Sequence, residues 1–150
     1  MRIAFDLDDT LFKTKENFPT EKHWINFVFR ERLRYGAIDL LKVIQSKQHD
    51  IWIYTTSLRN EYYLRLYFLM LGINLGGVIN YTKHVKTMKL FQNKSLSVSK
   101  YPPAFQIDLL IDDLEGVKIE GKRYGFSVYH LTSEDKQWVE NILELIETAK

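Results

Sequence analysis

Short, continuous apolar segments that alternate with segments of helical spacing constrain the fold of this chain more than any other feature. The predicted strands are residues 2–7, 51–55, 78–81, 107–111 and 126–131. The predicted helices are residues 36–48, residues 60–71 and a last helix that Ser133 caps. Because strands that are apolar throughout occur in parallel sheets with helices on both faces, the pattern predicts an α/β fold, a three-layer sandwich around a mainly parallel, Rossmann-like sheet.

Three segments carry weaker patterns. Residues 13–35 show helical spacing near Trp24 and Phe27, which favours an amphipathic helix packed on the core over a flap that contacts substrate. Residues 82–100 are rich in Lys and Ser with little periodicity and are predicted to be a loop with at most one helical turn. The pattern between Asp113 and residue 126 is ambiguous. With 150 residues and no linker, we predict one domain, 1–150, in which 13–35 is the candidate for a small flap or cap insertion.

The composition excludes several classes of protein. A hydrophobic fraction of 45% and an aromatic fraction of 14% are those of a folded chain. A net charge of +2 does not favour a nucleic-acid binder. Since the chain has no cysteine, thiol catalysis, disulfides and Cys-type zinc sites are excluded. No apolar stretch approaches the roughly 18 residues of a membrane span, and no signal peptide is evident, so we expect a cytoplasmic protein without membrane contact.

Polar side chains follow three of the predicted strands. The three groups are Asp6, Asp8 and Asp9; Thr55, Thr56 and Ser57; and Asp112 and Asp113. In open parallel sheets, ligands bind beyond the carboxyl ends of the strands. A lone Asp at such a place is more often a turn or cap residue. Two acidic clusters at the same edge repel each other unless a positive partner neutralises them, so we expect a shared ligand.

The chemistry of these side chains indicates Mg²⁺. Carboxylate oxygens with no His or Cys nearby are the donor set that this ion prefers, and the ion leaves room for a phosphate. In the Asp6-x-Asp8 spacing, one carboxylate can reach a ligand from the strand tip and the other from the turn. One carboxylate can then attack phosphorus while the other handles a proton.

Residues 3–11, which read IAFDLDDTL, resemble the first motif of the haloacid dehalogenase (HAD) superfamily in its phosphatase form. Residues 51–57 resemble the second motif, an apolar strand that ends in Thr or Ser. Residues 109–113, LLIDD, resemble the fourth motif, an apolar strand that ends in paired acids. The order and separation also fit. The resemblance implies a HAD-like fold and a Mg²⁺-dependent phosphohydrolase, a phosphoric monoester hydrolase of unknown substrate.

The resemblance also implies roles for the strand-end residues. Asp6 is the expected nucleophile, which forms an aspartyl-phosphate, and Asp8 the general acid and then base. The carboxylates of Asp6 and Asp112 and the backbone carbonyl of Asp8 are expected to hold Mg²⁺, with Asp113 lying behind these ligands or contributing through water. Thr55 is preferred over Thr56 as the hydrogen-bond donor to the phosphoryl group. Asp9 and Thr10 are expected to support the loop.

The third motif of the family is a lone lysine that neutralises charge on the nucleophile and the phosphate. The candidates in the right region are Lys83, Lys86, Lys89, Lys94 and Lys100. We favour Lys100, because the rigid Tyr101-Pro102-Pro103 segment that follows would fix its position. Any one of these lysines is otherwise most simply a solvated surface charge.

The spacing of the motifs limits the substrate. Neither the gap from Phe12 to Tyr35 nor that from Ser57 to Lys100 has space for a full cap domain, so the cap is minimal and the site should be open. Open sites suit large phosphorylated substrates, or are covered by an oligomeric partner such as a second copy of the chain, but small molecules also remain candidates. The substrate class and the oligomeric state therefore stay open at this stage.

Two other functions compete with the hydrolase. A phospho-acceptor switch also uses strand-end acids, a Thr and a Lys, but it normally carries its acceptor Asp after the third strand, where this chain has Tyr81. A catalytically weak phosphate-binding module would keep the same residues without turnover. The complete set of acids, with Asp8 as a proton donor, favours the enzyme.

Overall fold

The computed structural model describes residues 1–91 and 98–149, which form a parallel β-sheet flanked by helices. The strands are β1 (Arg2–Phe5), β2 (Asp50–Tyr54), β3 (Gly77–Ile79), β4 (Leu109–Asp112) and β5 (Val128–His130). The helices are α1 (Ala37–Ser46), α2 (Glu61–Met70), α3 (Tyr81–Lys89), α4 (Glu115–Tyr124) and α5 (Trp138–Thr148). Two 3₁₀ turns cover Trp24–Phe27 and Pro102–Phe105. None of the helices in these residues is long and apolar enough to span a membrane.

The five strands are all parallel and lie in the order β3-β2-β1-β4-β5. Alternate residues of the central strands enter two separate hydrophobic clusters, as the two-residue period of a strand requires. Ile3 and Phe5 of β1 belong to the cluster that contains residues of α1, α2 and α5, whereas Ala4 belongs to the one that contains Val117 of α4. The predicted three-layer α/β fold is therefore confirmed.

The prediction that residues 82–100 form a loop is wrong for its first half. Helix α3 begins at Tyr81, after Asn80, whose side chain accepts a hydrogen bond from the N–H of Lys83. This helix was not predicted because its sequence is mostly polar and His84 is its single buried residue. The Asn80 cap was the signal that could have revealed it.

Helix α4 fills the stretch that the sequence left ambiguous between β4 and β5. It buries Val117 and Gly121, and a Cβ on Gly121 would lie 2.8 Å from the carbonyl oxygen of Phe126, so close packing here requires glycine. The prediction that Ser133 caps the last helix is also wrong. Helix α5 begins at Trp138, after a turn in which the Asp135 side chain accepts the N–H of Gln137.

The amphipathic helix predicted within residues 13–35 is absent from the structure of that segment, whose one helical element is the 3₁₀ turn Trp24–Phe27. Phe27 is 94% exposed, although the helical spacing placed it on a buried face. Backbone hydrogen bonds join the end of the segment to its beginning. The N–H of Lys13 donates to the carbonyl of Arg32, and the N–H of Arg34 donates to that of Leu11. These bonds replace the ones a helix would make.

Candidate active site

Two adjacent strands bring the predicted nucleophile and the fourth-motif acid together. Strands β1 and β4 pair in parallel, with Phe5 opposite Ile111, so the residues that follow these positions, Asp6 and Asp112, emerge side by side at one sheet edge. The N–H of Asp6 donates to the carbonyl of Ile111 at 2.9 Å. Both side chains are almost completely buried. The two acids therefore lie on the same edge of the sheet.

Asp6, Asp112 and Asp113 form a carboxylate cluster. Each offers an oxygen, and the three oxygens lie within 4.8 Å of one another. Three hard oxygen donors without nitrogen or sulfur fit the preferences of a divalent cation such as Mg²⁺. The side chain of Asp8 is not a member of this cluster.

Lys100 lies between two of these carboxylates. Its Nζ is 2.6 Å from Asp6 Oδ1 and 2.6 Å from Asp112 Oδ2, and its side chain is 1% exposed. Among the competing lysines, Lys83 donates to the carbonyl of Val78, on β3. Lys86 and Lys89 lie on α3 and are exposed, and Lys94 is outside the described residues.

A buried hydrogen-bond chain fixes the backbone beside Lys100. The N–H of Tyr101 donates to the hydroxyl of Tyr54, at 2.8 Å, and this hydroxyl lies 2.6 Å from Nδ1 of His84. The 3₁₀ turn Pro102–Phe105 follows directly. No local pattern in the sequence predicts the link between His84 and Tyr54, which lie 30 residues apart. Burial, with Lys100 nearby, lowers the pKa of His84, which favours the neutral ring.

Burial dominates the electrostatics of the cluster. It raises the pKa of Asp6, to about 7; Lys100 counteracts this and Asp112 adds to it. Burial lowers the pKa of Lys100, but the two carboxylates outweigh it, and the net shift is upward. The pKa of Asp113 is also raised, by burial and then by Asp112, although a hydrogen bond from Thr10 opposes the shift. A cluster that resists full ionisation has room for more positive charge than Lys100 alone provides.

Arg59 holds Asp8 and was missed by the sequence analysis. Its Nη1 and Nη2 donate to the two carboxylate oxygens of Asp8, each at 2.9 Å. Its Nε donates to Glu31 at 3.1 Å. Nothing in the sequence marks Arg59 beyond its position after the strand-end group at Ser57, because its partners lie in two distant loops.

The loop after β1 is stabilised by its own polar side chains. Asp9 has a φ of 61°, and its Oδ1 accepts the N–H groups of Thr14, Lys15 and Glu16 at 2.8–2.9 Å. Burial opposes the charge of Asp9, but these hydrogen bonds prevail and lower its pKa. The hydroxyl of Thr10 donates to Asp113 at 3.0 Å and also accepts its N–H. Both residues thus have the supporting geometry that the sequence suggested.

The structure separates the two candidate threonines. Thr55 is completely buried, and its hydroxyl donates to Ser57 Oγ and accepts the N–H of Ser57. Thr56 lines a cavity of about 390 Å³ at the edge of the sheet. The full lining of this cavity is Asp6, Asp8, Asp9, Thr14, Lys15, Thr56, Lys100, Asp113 and Leu114. The preferred residue, Thr55, is therefore not among those that face the cavity, whereas Thr56 is.

The fold of the chain is HAD-like, as a comparison with solved structures shows. A solved structure described as a predicted HAD-like family hydrolase from Porphyromonas gingivalis matches this chain with a TM-score of 0.54. The alignment covers 97% of each chain at 11% sequence identity, so the likeness concerns the fold. No family model and no curated protein matches the sequence.

Proposed function

We propose that this protein is a Mg²⁺-dependent phosphohydrolase that acts on phosphate monoesters through an aspartyl-phosphate on Asp6. The observation that carries the proposal is the carboxylate cluster of Asp6, Asp112 and Asp113, with Lys100 2.6 Å from two of its members. The cluster supplies oxygen donors for a divalent cation and a nucleophile next to a fixed positive charge. Phosphoryl transfer needs this combination of positioning and charge neutralisation.

The chain's own residues account for the first half of the reaction. A carboxylate oxygen of Asp6 attacks phosphorus while the bond from phosphorus to the leaving oxygen breaks. Asp8 gives its proton to that oxygen. Oδ1 of Asp6 is held by Lys100, whereas Oδ2 has a 3.5 Å contact from the hydroxyl of Thr10, so Oδ2 is the freer oxygen. Lys100 neutralises charge on the nucleophile and on the phosphoryl oxygens, and Thr56, or Thr55 after local rearrangement, donates to them.

The second half regenerates the carboxylate. Asp8 accepts a proton from water, the water oxygen attacks phosphorus, and the bond from phosphorus to Asp6 breaks to release inorganic phosphate. The side chains of Asp6, Asp112 and Asp113 and the backbone carbonyl of Asp8 would hold Mg²⁺, which supplies Lewis-acid neutralisation of the phosphoryl oxygens when bound.

The substrate is a phosphorylated molecule, and the open site accommodates both small molecules and macromolecules. We propose that residues 13–35, whose aromatic side chains Trp24 and Phe27 are exposed, take the place of a cap domain. An oligomeric partner that covers this edge is compatible with the same exposure.

The test is an assay of phosphate release from p-nitrophenyl phosphate with and without Mg²⁺, followed by a panel of phosphorylated metabolites. We expect activity that requires Mg²⁺ in the wild type and a loss of about 1000-fold or more in Asp6→Asn, since removal of a covalent nucleophile abolishes the main reaction path. Asp39→Asn, on the exposed side of α1, is the matched control and should retain full activity.

The outcomes separate the competing functions. Equal activity in the wild type and Asp6→Asn would exclude Asp6 as the nucleophile. A phospho-acceptor switch would incorporate one phosphate per chain from an acyl phosphate without further turnover. A weak phosphate-binding module would gain thermal stability with Mg²⁺ and inorganic phosphate but release no product.

A further inference from the structure

The ion pair between Arg59 and Asp8 has a geometry that sets it apart from ordinary surface pairs. Both hydrogen bonds are 2.9 Å long and end on different carboxylate oxygens, so the two planar groups lie in register. The Asp8 side chain is 40% exposed and contacts no other charged group among the hydrogen bonds of the described residues, so Arg59 is what fixes its orientation.

Arg59 is itself held in place on two further sides. Its Nε donates to Glu31, whose carboxylate also lies 3.5 Å from the hydroxyl of Tyr63 on α2. The guanidinium lies 5.6 Å from the ring centroid of Phe12, a fully buried side chain. A side chain with three separate partners has little freedom to rotate, so Arg59 can transmit a fixed geometry to Asp8.

The bidentate pair with Arg59, called the clamp below, leaves part of the Asp8 carboxylate free to form further hydrogen bonds. A carboxylate has about four lone-pair positions, and the guanidinium uses one on each oxygen. Asp8 also lines the cavity that contains Asp6 and Lys100. The lone pairs that remain are therefore available to a leaving group or a water in that cavity.

We propose that Arg59, supported by Glu31, is a positioning residue that aims the carboxylate of Asp8 at the leaving oxygen. This inference rests on the proposed phosphohydrolase function. It assigns to residues 13–35 a part in the reaction, because Glu31 belongs to that segment. General acid catalysis contributes about 100-fold to 10,000-fold when the group is well placed. Loss of the clamp should therefore slow the hydrolysis of esters whose leaving group needs a proton, and should hardly affect esters whose leaving group does not.

The experiment compares two aryl esters, phenyl phosphate, whose leaving group is poor, and dinitrophenyl phosphate, whose leaving group departs without protonation. The value of kcat/KM reports formation of the aspartyl-phosphate. We expect Arg59→Gln to lower it by about 100-fold for phenyl phosphate and by less than about threefold for dinitrophenyl phosphate. Glu31→Gln should show the same selectivity to a smaller degree.

Arg65→Gln is the matched control. Arg65 lies on α2, pairs with Glu61 at 2.9 Å and has no contact with the cavity, so its loss should leave both values unchanged. Equal losses for the two esters in Arg59→Gln, or no loss, would overturn the positioning role while the hydrolase stands. A wild type inactive on both esters would overturn the proposed function and the role of Arg59 with it.

A second measurement does not depend on turnover. A double-mutant cycle in Mg²⁺-free buffer compares the Tm of four proteins: the wild type, Arg59→Gln, Asp8→Asn and the double variant. We expect the double variant to lose less than the sum of the two single losses, because each single change already breaks the pair. Strictly additive losses would show that the two side chains are not coupled and would overturn the inference.

Discussion

Two ion-pair networks lie at the same edge of the sheet and differ in almost every physical respect. The first joins Lys100 to Asp6 and Asp112, whose side chains are 1%, 8% and 0% exposed. The second joins Arg59 to Asp8 and Glu31, whose side chains are 22%, 40% and 17% exposed. In the first network both carboxylates lie at strand ends and Lys100 precedes the 3₁₀ turn Pro102–Phe105, whereas the second network is built on loops. The sheet therefore positions the carboxylates of the first network, whereas the side chains of the second network are oriented by one another.

The difference in burial has an energetic consequence. Charges removed from water are costly unless each one is paired, and removal of one partner then leaves an uncompensated charge in the interior. Exposed pairs have water as an alternative partner and are screened by salt. Loss of any one member of the buried network should therefore greatly lower the free energy of unfolding. Loss of one member of the loop network should lower it only slightly.

The largest effect is expected from Lys100→Met in Mg²⁺-free buffer. The substitution keeps a side chain of similar length and removes the positive charge between Asp6 and Asp112. The free energy of unfolding, measured with urea, should fall by about 3–5 kcal/mol. Addition of Mg²⁺ should restore part of the loss, since a cation that binds the folded state stabilises it.

Lys86→Met is the control for this change. Lys86 is exposed on α3 and was a candidate for the same role, and its substitution should alter stability by less than about 0.5 kcal/mol. Similar losses in the two variants would contradict the distinction between buried and exposed lysines at this edge.

The sequence predicts the two carboxylates of the buried network well because they occupy positions that the sheet itself determines, whereas Lys100 was one of five candidate lysines. Asp6 and Asp112 each follow an apolar run, and parallel pairing of β1 with β4 is enough to join them. Arg59 and Glu31 lie 28 residues apart in two irregular segments, and their contact depends on loop paths that no local pattern encodes. Helices α3 and α4 were not predicted for another reason, because their sequences are mostly polar and each buries only one or two residues.

Tyr54→Phe tests the support of the buried network. The change removes a hydroxyl that accepts the N–H of Tyr101 and bonds His84, and leaves two buried polar groups without this partner. We expect a loss of about 1–3 kcal/mol in the free energy of unfolding and a lower kcat, since Tyr101 adjoins Lys100. Tyr62→Phe, at a side chain that is 83% exposed, should change neither. Full activity in Tyr54→Phe would show that Lys100 needs no such support.

Asp9→Asn tests the loop that carries Asp8. Asparagine keeps an oxygen acceptor for the three N–H groups but loses the charge, so at pH 7 we expect a loss of about 1 kcal/mol. Because the pKa of Asp9 is lowered in the folded state, its stabilisation is complete above the ordinary value of 3.8 and disappears as pH falls through the lowered value. Urea unfolding across the acid range measures this. A difference that persists unchanged to the acid end would contradict the role of the charge.

The smallest effect should come from Arg59→Gln on stability, although its effect on catalysis is proposed to be large. Its partners keep access to water, so the free energy of unfolding should fall by less than about 1 kcal/mol. Salt should separate the two networks further, because the screening length at 1 M NaCl is about 3 Å. At this concentration the loss of unfolding free energy in Arg59→Gln should shrink toward zero, whereas the loss in Lys100→Met should hardly change. Urea unfolding of both variants at low and high salt measures the two dependences. If both losses shrank equally, the two networks would share one electrostatic environment, and burial at the strand ends would not be what distinguishes them.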